Sequence, residues 1–134
     1  KGSDENDGRE IVAEFETFQY SKDDWAPNTY WNDHYFLANQ ATNAIAYAEG
    51  ATDPATLRNI GEASFFRAYC YFELVKTYGE IPIIRNQIVK TADAIQPKST
   101  IDEVYAFIDE DLERAAQYLP LSSTEYGSNF VGRL

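Results

Sequence analysis

Along three stretches of this chain apolar residues recur every three or four positions, and polar, turn-forming residues separate them. From about Thr29 to Ala48, the residues Trp31, His34, Tyr35, Ala38, Ala41, Thr42 and Ile45 fall on one face of a helix. Alanines at 38, 41, 44 and 48 leave room for a neighbouring helix to come close. Glu49-Gly50 supplies the stop, since glycine suits a left-handed cap. The second stretch is better bounded. Asp53 is an N-cap candidate, Pro54 takes the first helical position, and Gly79 closes the far end. These limits give a rod of about 25 residues, close to 37 Å at 1.5 Å per residue. One of its faces carries Leu57, Ile60, Gly61, Ser64, Phe65, Ala68, Tyr71, Phe72, Val75 and Tyr78. A second strip carries Ala63, Phe66, Cys70 and Leu74. A helix apolar on two sides is expected to be covered on two sides.

The third helix opens on a capping box, Thr100-Ile101-Asp102-Glu103, and Pro120 stops it. Its expected buried stripe is Ile101, Val104, Tyr105, Ile108, Leu112, Ala115 and Leu119. The acidic residues Asp102, Glu103, Asp109, Glu110, Asp111 and Glu113 are expected mostly to face outward or to sit near the helix start, where the dipole tolerates them. Between the second and third helices, Glu80 to Arg85 reads as extended because of Pro82, and Asn86 to Lys98 as irregular. Upstream the pattern is weaker. Ile11, Val12, Phe15 and Phe18 fit a short amphipathic helix, Tyr20 to Asn28 a structured loop around Pro27, and Gly2 to Gly8 a polar loop. Ser122 to Gly132 is turn-rich. The fold class is therefore all-α, with long helices joined by irregular loops in a layered array, read as one domain over 1–134.

Two side chains sit awkwardly on this pattern. Arg67 lies between the two apolar strips of the second helix, so its guanidinium is expected to be at least partly buried. Desolvating a charge costs several kcal/mol, so a carboxylate or helix-end carbonyls should meet it. His34 lies on the apolar face of the first helix, where a lone histidine is more often a hydrogen-bonded core residue than a ligand or general base.

Composition narrows the functional classes. The 134 residues are 44% hydrophobic and 15% aromatic, with 10 Tyr, 8 Phe and 2 Trp, which is too aromatic for a disordered chain. Twenty-two acidic residues against 11 basic ones leave a formal charge of −11. That charge argues against nucleic acid and anionic lipid as partners. The one cysteine, Cys70, allows no intrachain disulfide and is expected in the core. No apolar run is long enough to span a membrane, and the first residues have no signal-peptide pattern.

No catalytic constellation stands out. The single His and the single Cys have no supporting local signature, and there is no nucleophile elbow or phosphate-binding glycine loop. Paired carboxylates are unremarkable in so acidic a chain. Asp4 to Gly8 lacks the alternating ligands of a calcium loop. No enzyme, cofactor or metal is expected. For binding, Tyr20 to Trp31 combines flat aromatic faces with amide and carboxylate groups, the mixture that sugars require. Tyr20, Asp24, Trp25 and Asn28 are the candidate ligand-binding residues, with Trp25 as the stacking residue. The alternative is that Trp25 folds back as a hydrophobic lid on the first helix. Trp31, on the helix stripe, is expected to pack in the core.

The string Gly61-Glu62-Ala63-Ser64-Phe65-Phe66-Arg67-Ala68-Tyr69-Cys70-Tyr71-Phe72-Glu73-Leu74-Val75, followed by Tyr78-Gly79-Glu80-Ile81-Pro82-Ile83, resembles the hallmark segment of the SusD/RagB family. Ser3-Asp4-Glu5, then Trp31, Tyr35, Asn39 and Ile45, and then Ile101 to Tyr105 with Ile108, Asp111-Leu112, Ala115 and Leu119-Pro120 follow in that family's order, with Gly132-Arg133 starting its next helix. The resemblance covers Ser3 to Arg133. It implies a tetratricopeptide-like helical fold and the N-terminal part of a longer protein. It also implies a surface lipoprotein of the outer membrane, anchored through an upstream cysteine, that sits on a TonB-dependent, SusC-like transporter and hands it glycans or peptides. Two functions follow: a glycan-binding nutrient-uptake component, or a helical protein-interaction scaffold with no small ligand of its own.

Overall fold

The computed structural model describes residues 25–121. The chain divides into two compact units, residues 1–33 and 34–134. The expectations for Ile11 to Phe18, for Tyr20 and Asp24, and for Ser122 to Gly132 lie outside the described residues. Helix α1 spans Trp25–Tyr47 and α2 spans Pro54–Tyr78. Strand β1 (Ile81–Pro82), the short helix α3 (Thr91–Ala94), strand β2 (Lys98–Ser99) and helix α4 (Ile101–Tyr118) complete the described elements. The all-α expectation holds. The expected extended stretch is β1, which pairs antiparallel with β2 through Ile81 opposite Ser99 and Pro82 opposite Lys98.

The boundaries of α2 follow from local chemistry. The Asp53 carboxylate accepts the Thr56 amide at 2.8 Å, Pro54 opens the helix, and Gly79 at φ 71° donates its amide to the Val75 carbonyl. Helix α4 starts as its capping box requires. The Glu103 amide donates to Thr100 Oγ1 at 3.3 Å, and the Thr100 amide donates to Glu103 Oε2 at 2.8 Å. Gly50, at φ 81°, ends the turn that follows α1.

Helix α1 begins four residues earlier than the pattern suggests. Pro27 read as a loop marker, but in the first turn of a helix its missing amide has no partner to lose. Trp25 and Asn28 therefore belong to the opening turn of α1, not to a loop. Trp31, expected in the core, is half-buried, as is His34.

In the second unit α2 is the central rod, and α1 and α4 both run antiparallel to it. The Tyr35 and Tyr71 rings lie edge to face with centroids 6.0 Å apart and Thr42 meets Arg67, which sets α1 against α2. Phe72 faces Tyr105 near one end of α4, while Gly61 lies against Tyr118 and Leu119 at the other. A Cβ on Gly61 would come within 3.1 Å of both Tyr118 and Leu119, so the missing side chain permits the close approach. This antiparallel succession of helices is tetratricopeptide-like. The core contains Ala68, Cys70, Tyr71, Leu74, Ile81, Val104, Phe107 and Ile108. Tyr71 and Phe107 meet edge to face at 5.0 Å, a geometry that adds about 0.5–1.5 kcal/mol beyond burial.

Two expectations about faces are corrected. Helix α2 is covered over only about half of its circumference, which at 100° per residue is the arc from Cys70 round to Gly61. Phe65, Phe66, Tyr69 and Phe72 lie on the other half, between 39% and 61% exposed. The buried stripe of α4 is Val104, Phe107, Ile108, Asp111 and Ala115, whereas Ile101, Tyr105 and Leu112 are at least 40% exposed. Compared with the expected stripe, the helix is turned by roughly 60°. The cause is ionic. Asp111, grouped with the outward acids, is fully buried because it meets Arg67.

Candidate functional site

Arg67 stands at the middle of the buried arc of α2, 5% exposed. Its Nε and Nη2 donate to the two carboxylate oxygens of Asp111 at 2.7 and 2.8 Å, a bidentate pair, and Nη1 donates to Thr42 Oγ1 at 3.0 Å. Arg114 adds a third donor to Asp111 at 2.7 Å. The expected carboxylate partner is thus present, and Thr42 joins α1 to the same junction. The Phe107 ring lies 5.0 Å from the Arg67 guanidinium carbon and 4.5 Å from that of Arg85. Arg85, half exposed, is held in turn by Glu110 at 2.7 Å. Those hydrogen bonds keep the Glu110 carboxyl below its usual range and the Arg85 guanidinium above its own.

Two tyrosines fix the segment after α2. The Tyr35 hydroxyl donates to the Pro82 carbonyl at 2.6 Å, and the Tyr71 hydroxyl accepts the Ile84 amide at 2.8 Å. Burial raises the pKa of both phenols, that of Tyr71 to about 12. The clasp delivers Arg85, Asn86 and Gln87 to the rim of a cleft of about 630 Å³ whose whole wall comes from residues between 42 and 118. Ile45, Ala48, Leu57 and Ile60 give it an aliphatic side. Arg85, Asn86, Gln87, Glu110 and Arg114 give it a polar one, and Tyr118 and Glu49 also line it. Sequence reasoning missed this cleft, because its parts lie far apart along the chain.

Of the four sequence-predicted binding residues, Trp25 and Asn28 are described. They stand three positions apart in the first turn of α1, so they share a face of the helix. Trp25 is 66% exposed and Asn28 is exposed. Tyr20 and Asp24 lie outside the described residues, so the structure brings together two of the four.

The SusD-like family profile, described as starch-binding associating with outer membrane, matches residues 6–130. Among similar proteins, SusD-like protein P2 of Formosa agariphila is 32% identical over 111 residues, 80% of this chain and 22% of that protein. A crystal structure determined with xylogluco-oligosaccharide superposes with a TM-score of 0.74 at 26% identity, covering 80% of this chain and 22% of the other. A laminarin-binding SusD-like protein superposes with a TM-score of 0.77 at 24% identity, over 94% of this chain and 28% of its own, which bears on the fold alone. The chain spans about a fifth of the length of the curated relatives it matches. With a family profile matching nearly its whole length and helices that superpose on a SusD-like protein of Bacteroides fragilis with a TM-score of 0.72 at 28% identity, over 83% of this chain and 22% of that one, the chain belongs to the SusD-like family.

Proposed function

We propose that this chain is the N-terminal helical part of a glycan-binding component of an outer-membrane nutrient-uptake system, one that binds its ligand without transforming it. The observation that carries this reading is the match of residues 6–130 to a family described as starch-binding and associated with the outer membrane. The relative determined with a xylogluco-oligosaccharide supports a glycan as the ligand class. In the whole protein, a lipid anchor upstream would hold it at the cell surface, and a TonB-dependent, SusC-like transporter would receive the glycan. Within the chain, the exposed Trp25 with Asn28 on the same face, next to Asp24 and Tyr20 in sequence, is the proposed stacking and hydrogen-bonding site.

Tryptophan fluorescence of the wild type and of Trp25→Ala, titrated with a maltooligosaccharide and a xylogluco-oligosaccharide, tests that assignment. A saturable response in the wild type, lost in the variant, is expected. Equally flat responses from both proteins remove the ligand role from this stretch.

The second reading is a protein-docking scaffold, and one observation favours it. The open half of α2 presents Phe65, Phe66, Tyr69 and Phe72, a contiguous aromatic strip of the kind that marks interaction surfaces. Co-purification with a co-expressed transporter, compared between the wild type and Phe66→Ser, separates the two readings. Transporter binding that depends on Phe66, without any glycan response, selects the scaffold.

A further inference from the structure

The cleft between the end of α1, the start of α2 and α4 is unlike a leftover gap between helices, because its polar side is electrically closed. Arg85 is paired with Glu110 at 2.7 Å, Asp111 is shared by Arg67 and Arg114 at 2.7 Å each, and Glu49 lines the same cleft, so its three guanidinium groups are matched by three carboxylates. A charged ligand would gain little there, since it would have to compete with an existing ion pair. A neutral polyhydroxylated ligand does not face that competition. Its hydroxyls accept from the remaining guanidinium N–H groups and from the amides of Asn86 and Gln87, and they donate to Glu110. Arg85, Asn86, Gln87 and Glu110 are all exposed, so these contacts replace water and need no burial in advance. In the same cleft the aliphatic residues and Tyr118 offer a surface for C–H groups.

The size agrees. About 630 Å³ lies within the span of roughly 300–1,000 Å³ found for small-ligand sites. The polar wall is also held in place from behind. Arg85 rests on the Phe107 ring at 4.5 Å, and Phe107 is itself buried against Tyr71, so little ordering remains to be done on binding.

We propose that this cleft is a binding subsite for a short neutral oligosaccharide, separate from the Trp25 face and built on Asn86, Gln87, Glu110 and Arg85. The proposal rests on the glycan reading above and adds a second site with its charge preference. Both tryptophans of the chain are at positions 25 and 31, outside the cleft wall, so fluorescence and side-chain NMR report on different places.

The chain, labelled with ¹⁵N, is titrated with a maltooligosaccharide, a xylogluco-oligosaccharide and an oligogalacturonate, while the Asn86 and Gln87 side-chain amides and the Arg85 Nε–H are followed. Saturable shifts with the neutral sugars are expected, and Asn86→Ala/Gln87→Ala should weaken the affinity by roughly fivefold or more. An unchanged thermal melt of that double variant shows that the loss is not one of folding. Neutral-sugar binding seen by fluorescence without shifts at 85–87 overturns the subsite and leaves the glycan reading standing. No response by either readout removes both. Tighter binding of the oligogalacturonate than of the neutral sugars overturns the assigned ligand class.

Discussion

Replacing Asp111 by alanine strips the Arg67 guanidinium of its counter-charge while leaving it enclosed. Arg67 would keep Thr42 at 3.0 Å and the Phe107 ring at 5.0 Å, but it would lose two hydrogen bonds of 2.7 and 2.8 Å at a position only 5% exposed. Breaking a buried pair from one side costs about 3–5 kcal/mol. That is a large part of a total stability of about 5–15 kcal/mol. For a chain of this size each kcal/mol lowers Tm by roughly 3–5 °C, so a fall of roughly 10–20 °C is expected. Urea unfolding followed by far-UV circular dichroism should show a lower midpoint with an unchanged slope. The double variant Arg67→Met/Asp111→Leu has no buried charge left to solvate, so it should recover most of the loss. A single variant that loses less than about 1 kcal/mol, or a double variant as unstable as the single, would refute the reasoning.

Gly61→Ala gains helix propensity of about 1 kcal/mol, but its Cβ meets Tyr118 and Leu119 at 3.1 Å. A net destabilisation of about 1 kcal/mol is expected, measured by the same urea titration, and a stabilised variant would show that the end of α4 yields freely. Burial pushes the Cys70 thiol up to about 11, so in the folded chain at neutral pH it should react with a disulfide reagent far more slowly than in urea. Equal rates would place it at the surface. The Thr100 amide and hydroxyl hold the Glu103 carboxyl below its usual range. A depressed folded-state pKa stabilises above the unfolded value of about 4.3, and the contribution is lost as pH falls through the folded value. Glu103→Gln removes the titrating group and should therefore flatten this part of the acid limb of a stability-versus-pH curve, and an unaltered limb would exclude the Glu103 carboxylate as its source.

Helix limits were legible wherever a single side chain decides them. Asp53, Pro54 and Gly79 bound α2 as expected, and Thr100 with Glu103 starts α4. The buried Cys70 and the carboxylate partner of Arg67 were also legible, since a small thiol and an enclosed cation have few other options. Which half of an apolar helix is covered was not legible. Phe65 and Phe72 score as core residues by hydrophobicity, yet the neighbours of α2 lie against Ser64, Arg67 and Tyr71. Asp111 shows the same limit from the other side. Its spacing from Val104, Ile108 and Ala115 placed it on the buried stripe, and only its charge class argued otherwise. Had the partner of Arg67 been sought on that stripe, Asp111 would have been found. The candidate site divides similarly. Trp25 and Asn28 stand out locally, whereas the cleft draws on residues near 45–51, 85–87 and 107–118, which no local pattern connects.

The two ends of the Arg67–Asp111 pair lie 44 positions apart in the chain, and that interval sets an order of assembly. As the chain leaves the ribosome, α2 arrives carrying a cation at the centre of its future interior, and its counter-ion has yet to be made. Sealing that face early would strand the guanidinium, so tight collapse pays only once α4 is present. A chain ended at Ser99 should accordingly leave the α2 amides open to hydrogen exchange, and strong protection there would show that the rod closes without waiting.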